Sequence, residues 1–124
     1  MSVAILRQGD YLIASIQSDL SDSEVLEFRS ELTDLVGRHR VRGIVIDVAA
    51  LDVIDSFVAR SLRSIVLAAK LRGAETVIVG IQPDVAIAMV HFRLNLHALR
   101  VALDLDEARA LLDRSTRGDA EDGR

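Results

Sequence analysis

The sequence predicts a single α/β domain: an N-terminal β-hairpin, then helices alternating with mostly parallel strands, about five strands and four helices in all. Three observations carry this expectation. Two short apolar runs flank a Gly-Asp pair near the start of the chain. Later come two short β-branched runs, Ile44-Val45-Ile46-Asp47-Val48 and Thr76-Val77-Ile78-Val79, each with the pattern of a strand buried on both faces. Around them the apolar residues recur at three- and four-residue spacing, the period of a helix with one face on a sheet. Strands separated by helices imply a mostly parallel sheet.

Val3 to Gln8 and Tyr11 to Gln17 read as antiparallel strands, because Gly9-Asp10 has the composition of a tight hairpin turn. Ser21 and Glu24 have capping-box spacing, and Val25, Phe28, Leu32, Leu35, Val36 and His39 form the stripe of a first helix. Gly43 closes that region and the first buried strand follows. A loop from Ala49 to Asp55 leads to a second helix with Val58, Leu62, Ile65, Val66 and Ala69 inward. Arg60, Arg63, Lys70 and Arg72 fall on its other face, a pattern read as a solvated surface, and Gly73 closes it. After the second buried strand, Pro83 stands where a helix begins. Val85, Ala86, Met89 and Val90 make the expected stripe of that third helix. Ala98 to Ala102 reads as a last short strand. Asp104 and Glu107 open a fourth helix with Ala108, Leu111 and Leu112 inward. The domain is assigned to residues 3–115. Residues 116–124, rich in Gly, Asp, Glu and Arg, are expected to form a disordered acidic tail.

Composition narrows the function classes. Aromatic residues make up 3% of the chain, so the core is built from aliphatic side chains. The net charge of -4 argues against a nucleic-acid binder, which needs a basic stripe, and the lack of aromatics removes the stacking platforms of single-strand binders. There is no cysteine, hence no disulfide framework and no thiolate metal site. No apolar run approaches the ~18–20 residues of a membrane span, and the N-terminus lacks a signal-peptide pattern. The expectation is a cytoplasmic protein.

In open parallel sheets functional groups gather where strands end and helices begin. That directs attention to Ala49 to Ser56 and Gly80 to Pro83. Ser56, after Asp55, opens the second helix. As a plain structural residue it is an N-cap. As a modification site it would carry about -1.5 to -2 charges facing free N–H groups, with Arg60 one turn away and Asp52 and Asp55 repelling. A helix terminus stabilises an anion by only ~0.3–1 kcal/mol. Driving a conformational equilibrium from 1:99 to 99:1 takes about 5.5 kcal/mol. A phosphate there would therefore act on a docking surface, where misplaced charge costs several kcal/mol, rather than refold the domain.

Other chemistries find less support. Asp47, Asp52 and Asp55 lack the acidic pair and well-placed Lys of an aspartyl phosphoacceptor, and Asp47 is expected to receive loop hydrogen bonds at a strand end. His39, His91 and His97 lack metal-ligand spacing; His39 reads as a partly buried packing residue and the other two as surface residues. No Gly-rich phosphate loop and no Gly-x-Ser-x-Gly elbow occurs, and no nucleophile–base pair can be named. An enzyme is not expected, nor is a cofactor. A small-ligand sensor using the cleft beside Ala49 to Ser56 stays open as a reading of another class.

Ile46-Asp47 followed by Leu51-Asp52-Val53-Ile54-Asp55-Ser56-Phe57 resembles the signature of the sulfate-transporter/anti-sigma-antagonist (STAS) domain. Ser15-Ile16-Gln17, Lys70-Leu71-Arg72-Gly73-Ala74, Gly80-Ile81-Gln82-Pro83 and Ala102-Leu103-Asp104-Leu105 are similar to its RsbS-like, stressosome branch. Phe57, where sporulation-type antagonists commonly carry a small residue, points the same way. The resemblance covers about residues 3 to 115. It implies a non-enzymatic scaffold with Ser56 as phosphoacceptor and a partner surface of Asp52, Asp55, Ser56, Phe57, Arg60, Gln82 and Pro83. The implied partners are an RsbT-like serine kinase, held until Ser56 is phosphorylated, an RsbX-like phosphatase, RsbR-like STAS-domain sensors, and further copies of the chain. The alternative is a freestanding anti-sigma factor antagonist that binds its kinase without a large shell.

Overall fold

Hairpin and buried runs build one sheet. The computed structural model describes residues 3–94 and 99–122, with side chains as far as residue 115. The elements are β1 (Val3–Gln8), β2 (Tyr11–Ile16), α1 (Asp22–Arg38), β3 (Gly43–Asp47), α2 (Ser56–Leu71), β4 (Glu75–Val79), α3 (Pro83–His91), β5 (Leu99–Ala102) and α4 (Leu105–Asp122). The strands lie side by side in chain order, β1-β2-β3-β4-β5. β1 pairs antiparallel with β2 through the two-residue Gly9-Asp10 turn, and every later pairing is parallel. This is the expected architecture. Ala98, the expected start of the last strand, and His97 lie outside the described residues.

Two-residue periodicity sorts the strands onto two faces. Leu12, Ala14, Ile44, Ile46 and Ile78 join the larger core with Phe28 and Leu32 of α1, Leu62 and Ile65 of α2, and Val85 and Met89 of α3. On the other face Val45, Val77 and Val79 pack with Ala108 and Leu112 of α4. β3 and β4 are thus covered on both sides, as their uninterrupted apolar runs require.

Local signals fix the helices. The capping box of α1 is complete: Glu24 N–H donates to Ser21 Oγ (3.3 Å) and Ser21 N–H donates to Glu24 Oε1 (3.0 Å). α2 ends one residue earlier than expected, with Arg72 as C-cap and Gly73 following at φ +86. Gly73 N–H donates to Lys70 C=O and Ala74 N–H to Ala69 C=O, a Schellman ending in which glycine meets the left-handed conformation without a Cβ penalty. α4 is capped by Asp104 Oδ1, which accepts from Glu107 N–H (2.9 Å). It is tied to the sheet by Tyr11 Oη–H donating to Asp113 Oδ1. The helix runs on to Asp122, so the boundary drawn at residue 115 falls inside an element.

Two side-chain expectations change. The basic residues of α2 do not form one solvated face. Arg63 is half-buried, and its Nη2 donates to the carbonyls of Phe92 and Arg93, both at 2.9 Å. It braces the turn that leaves α3, holding the two carbonyls just past the helix end. The stripe of α3 is also narrower than expected. Val85 and Met89 are buried, but Ala86 is exposed and Val90 is 71% exposed. This nine-residue helix meets the larger core through a narrow strip, so residues one position round its circumference miss it.

Gly43 marks where sheet and α4 come closest. A Cβ there would sit 2.8 Å from both Leu112 methyl carbons. Gly43→Ala is therefore expected to lower stability by ~1–2 kcal/mol, the usual cost of overpacking. Urea unfolding of Gly43→Ala, Leu112→Ala and the double variant checks this: the two losses should add to more than the double variant shows.

Candidate functional site

The sheet's carboxyl edge delivers two loops side by side. Asp47 ends β3, and its Oδ1 accepts from Ala49 N–H (2.9 Å), which turns the chain out of the strand. This is the role expected of it. Val48 N–H donates to Val79 C=O, and Leu51 N–H to Val48 C=O. The loop is then pinned at two points, since Leu51 and Ile54 are buried in the larger core. Between them Asp52 is exposed and Val53 is 67% exposed.

Asp55, not Ser56, caps α2. Asp55 has extended backbone angles (φ -100, ψ 177), and its Oδ1 accepts from Val58 N–H at 2.8 Å. Ser56 is already the first helical residue, where a side chain cannot reach back to cap. A carboxylate also makes the stronger, charge-assisted bond and suits the positive helix end. The Ser56 hydroxyl is exposed and makes no hydrogen bond among the described residues. Phe57 is half-buried, while Arg60 is exposed and four residues on from Ser56, on the same side of the helix.

The second loop follows β4. Gly80 has φ +75, and a Cβ there would lie 2.8 Å from Ala49 Cβ and 3.2 Å from Ala49 Cα. Glycine is thus needed both for its dihedral angle and for the approach of one loop to the other. Gln82 is the N-cap residue of α3, but its side chain does not cap. Its Nε2 donates to Ala49 C=O at 2.6 Å instead, and Pro83 follows at the first helical position. Gln82 therefore bridges to the base of the loop that carries Asp52, Asp55 and Ser56.

All seven residues of the expected partner surface thus lie on these two loops and the first two turns of the helices they open, and Gln82 joins the loops through Ala49. Sequence reasoning missed three features. Ala49 is the hub; its signal is the glycine after β4, which marks a close backbone approach. The β2–α1 connection contributes Asp19 and Leu20, which line a small hollow of ≈ 160 Å³ with Leu51, Val53, Ile54, Asp55 and Val58. A larger groove of ≈ 670 Å³ opens on the other side of Gln82, lined by Ala49, Met89, Val90, Val101, Leu103 and Glu107 among others. The small hollow lies beside the Ala49 to Ser56 loop, where a cleft was expected, but nothing in the linear pattern announces the part played by Asp19 and Leu20, or the larger groove. The described residues hold no group of three or more His, Asp or Glu placed for a metal, and no helix among them is long and apolar enough to cross a membrane.

Known structures share this fold. By structure the chain is similar to RsbS of Moorella thermoacetica, in a form bearing a serine-to-glutamate change: 36% identity, TM-score 0.85, covering 94% of this chain and 99% of that one. It is similar to a chain from the molecular architecture of the stressosome, a signal integration and transduction hub, with 33% identity, TM-score 0.76 and coverage of 92% and 99%. The anti-sigma factor antagonist SpoIIAA in its unphosphorylated form shares the fold at 11% identity, with TM-score 0.70 and coverage of 90% and 97%. No curated protein sequence matches. Residues 2–108 match the STAS domain family model, and the chain belongs to that family.

Proposed function

We propose that this STAS domain is a non-enzymatic, cytoplasmic scaffold of a stressosome-type assembly that holds an RsbT-like serine kinase and releases it when Ser56 is phosphorylated. The observation that carries the reading is the division of labour at the start of α2. Asp55 holds the helix, which leaves the Ser56 hydroxyl exposed and unengaged. A kinase can take that hydroxyl without first breaking a cap. The similarity to an RsbS at 36% identity supports the same role for this chain.

In this reading the kinase docks on Asp52, Asp55, Phe57 and Arg60 together with Gln82 and Pro83 across the Ala49 bridge. A phosphoryl group at Ser56 would add about two negative charges beside Asp52 and Asp55, with Arg60 as the nearest cation along the helix. Charge of that size inside a docked surface costs several kcal/mol, enough to release a partner. An RsbX-like phosphatase would restore the hydroxyl. RsbR-like sensors, which share the fold, and further copies of this chain would complete the shell.

Incubation with ATP and a cognate RsbT-like kinase should place one phosphate on Ser56 by mass spectrometry. Phosphate on a different residue, or persisting in Ser56→Ala, sinks the assignment. Ser56→Asp should weaken kinase binding while the melting temperature stays nearly unchanged. In size-exclusion chromatography with an RsbR-like sensor, a scaffold shifts to a very large species; a complex of a few chains indicates the freestanding antagonist.

The cap assignment has its own measurement. Asp55→Ala should cost about 1 kcal/mol of stability, as loss of an N-cap does. Ser56→Ala should stay within ~0.5 kcal/mol of the parent, as surface changes do. Urea midpoints in the reverse order would return the capping role to Ser56.

A further inference from the structure

We propose that the cavity between α1 and α2 is a binding site for a free aliphatic carboxylic acid, its chain held between the helices and its carboxylate on Arg72. The site is separate from the surface around Ser56. α2 is 16 residues long, so Arg72 stands ~24 Å from Ser56 along the helix.

The cavity arises where small side chains line the space between the helices. Gly37 of α1 and Ala68 and Ala69 of α2 border a volume of ≈ 310 Å³. Leu32, Ile44 and Ile65, none more than 1% exposed, line it as well, so it reaches into the larger core. Close-packed interiors leave few voids larger than a water molecule, and this one falls in the size range of small-molecule sites. An apolar cavity of about 150 Å³ takes one benzene ring, so there is room here for roughly twice as many carbon atoms. The wall is also drier than its composition suggests. Thr33 lines it, but its hydroxyl is turned back to the carbonyls of Arg29 (2.8 Å) and Ser30 (3.1 Å) of its own helix.

The mouth selects the charge of the ligand. Arg72 is the one charged residue in the lining. Its Nη2 donates to the Gly37 carbonyl at 3.3 Å, near the end of α1, an ordinary role for an arginine beside a helix C-terminus. That bond takes one of five N–H donors. Among the described residues Arg72 has no carboxylate partner. The carboxylates nearest in the chain are engaged elsewhere, Glu75 with Lys70 (3.9 Å) and Asp34 with Arg38 (3.1 Å). A carboxylate arriving at the mouth therefore meets a guanidinium with donors to spare, whose planar fork suits it. Glycine at 37 keeps that group in place, since a Cβ there would lie 3.2 Å from Arg72 Nη2. Beside it Leu71, also in the lining, is 88% exposed, and an aliphatic chain in the cavity would take part of that surface out of water. A cation without a carboxylate next to a stranded leucine, above an apolar cavity, matches the two ends of an aliphatic acid. A ligand amine would find no carboxylate in this lining.

Decanoate, ionised at neutral pH, is the probe. Decanol and decyltrimethylammonium carry the same chain with no charge and with the opposite charge. In isothermal titration decanoate should bind roughly tenfold tighter than decanol, and decyltrimethylammonium should be weakest. Saturating decanoate should raise the melting temperature by ~5 °C or more. Arg72→Gln should weaken decanoate roughly tenfold and leave decanol unchanged. Ala68→Leu, which fills the cavity, should abolish binding of both, with the ligand-free melting temperature at or above that of the parent. Methyl NMR should place the decanoate-induced shifts at Ile44 and Ile65, which keeps the site testable if a variant fails to fold. Absence of decanoate binding, equal binding of the three probes, or methyl shifts confined to the groove beside Gln82 overturns the proposal. Undiminished decanoate binding in a folded Arg72→Gln or Ala68→Leu does so too. Displacement of decanoate by an RsbR-like sensor or an RsbT-like kinase gives the cavity to a protein side chain and has the same force.

Discussion

Everything in this domain hangs on the parallel pairing of β3 with β4. Val45 and Val77 lie directly across from each other, as do Ile46 and Ile78. All four are fully buried, two toward each layer of helices. A strand pair covered on both faces cannot slip by a residue without exchanging its two cores, so the register is fixed by packing rather than by loops. The in-register pair also ends together, at Asp47 and Val79. Two connections must then leave the sheet at the same height.

What those connections do follows from that common exit. The first turns out through Asp47, dips into the core at Leu51 and Ile54, and hands α2 to Asp55. The second turns at Gly80, approaches Ala49 closely, and sends Gln82 back across to the Ala49 carbonyl. Three hydrogen bonds and two buried aliphatic side chains hold this arrangement. On the opposite flank α4 is held by the Asp104 cap, the Tyr11–Asp113 bond and the fit of Leu112 over Gly43.

Most of the fold was legible in the sequence because its signals are local. Gly9-Asp10 turned where a hairpin must, Ser21 and Glu24 capped where their spacing said, and the β-branched runs lay at the centre of the sheet. What escaped was set by tertiary geometry. Serine and aspartate are both good caps, and only the backbone angle at residue 55 decides which of two adjacent residues takes the role. Arg63 has the spacing of a surface residue, yet α3 ends within its reach. The outward turn of Val90 depends on how α3 lies on the core, which no stripe reports. The candidate site was legible as a pair of loops, since strand ends in parallel sheets are where such loops gather. Its joint was not, for Ala49 carries no chemistry of its own and contributes a backbone oxygen.

The two buried anchors of the first loop have a consequence for its length. Leu51 and Ile54 are fixed in the core, so the two residues between them are forced outward, and Val53 protrudes because it has nowhere else to go. Surface loops ordinarily tolerate insertions and deletions. Here one residue more or fewer would put a different side chain at the crest and pull either an anchor or the Asp55 cap out of place. Spacing is thus constrained as tightly as residue type across 51–55. Because the loop is already ordered in the folded chain, a partner that closes over it has little of this backbone left to immobilise.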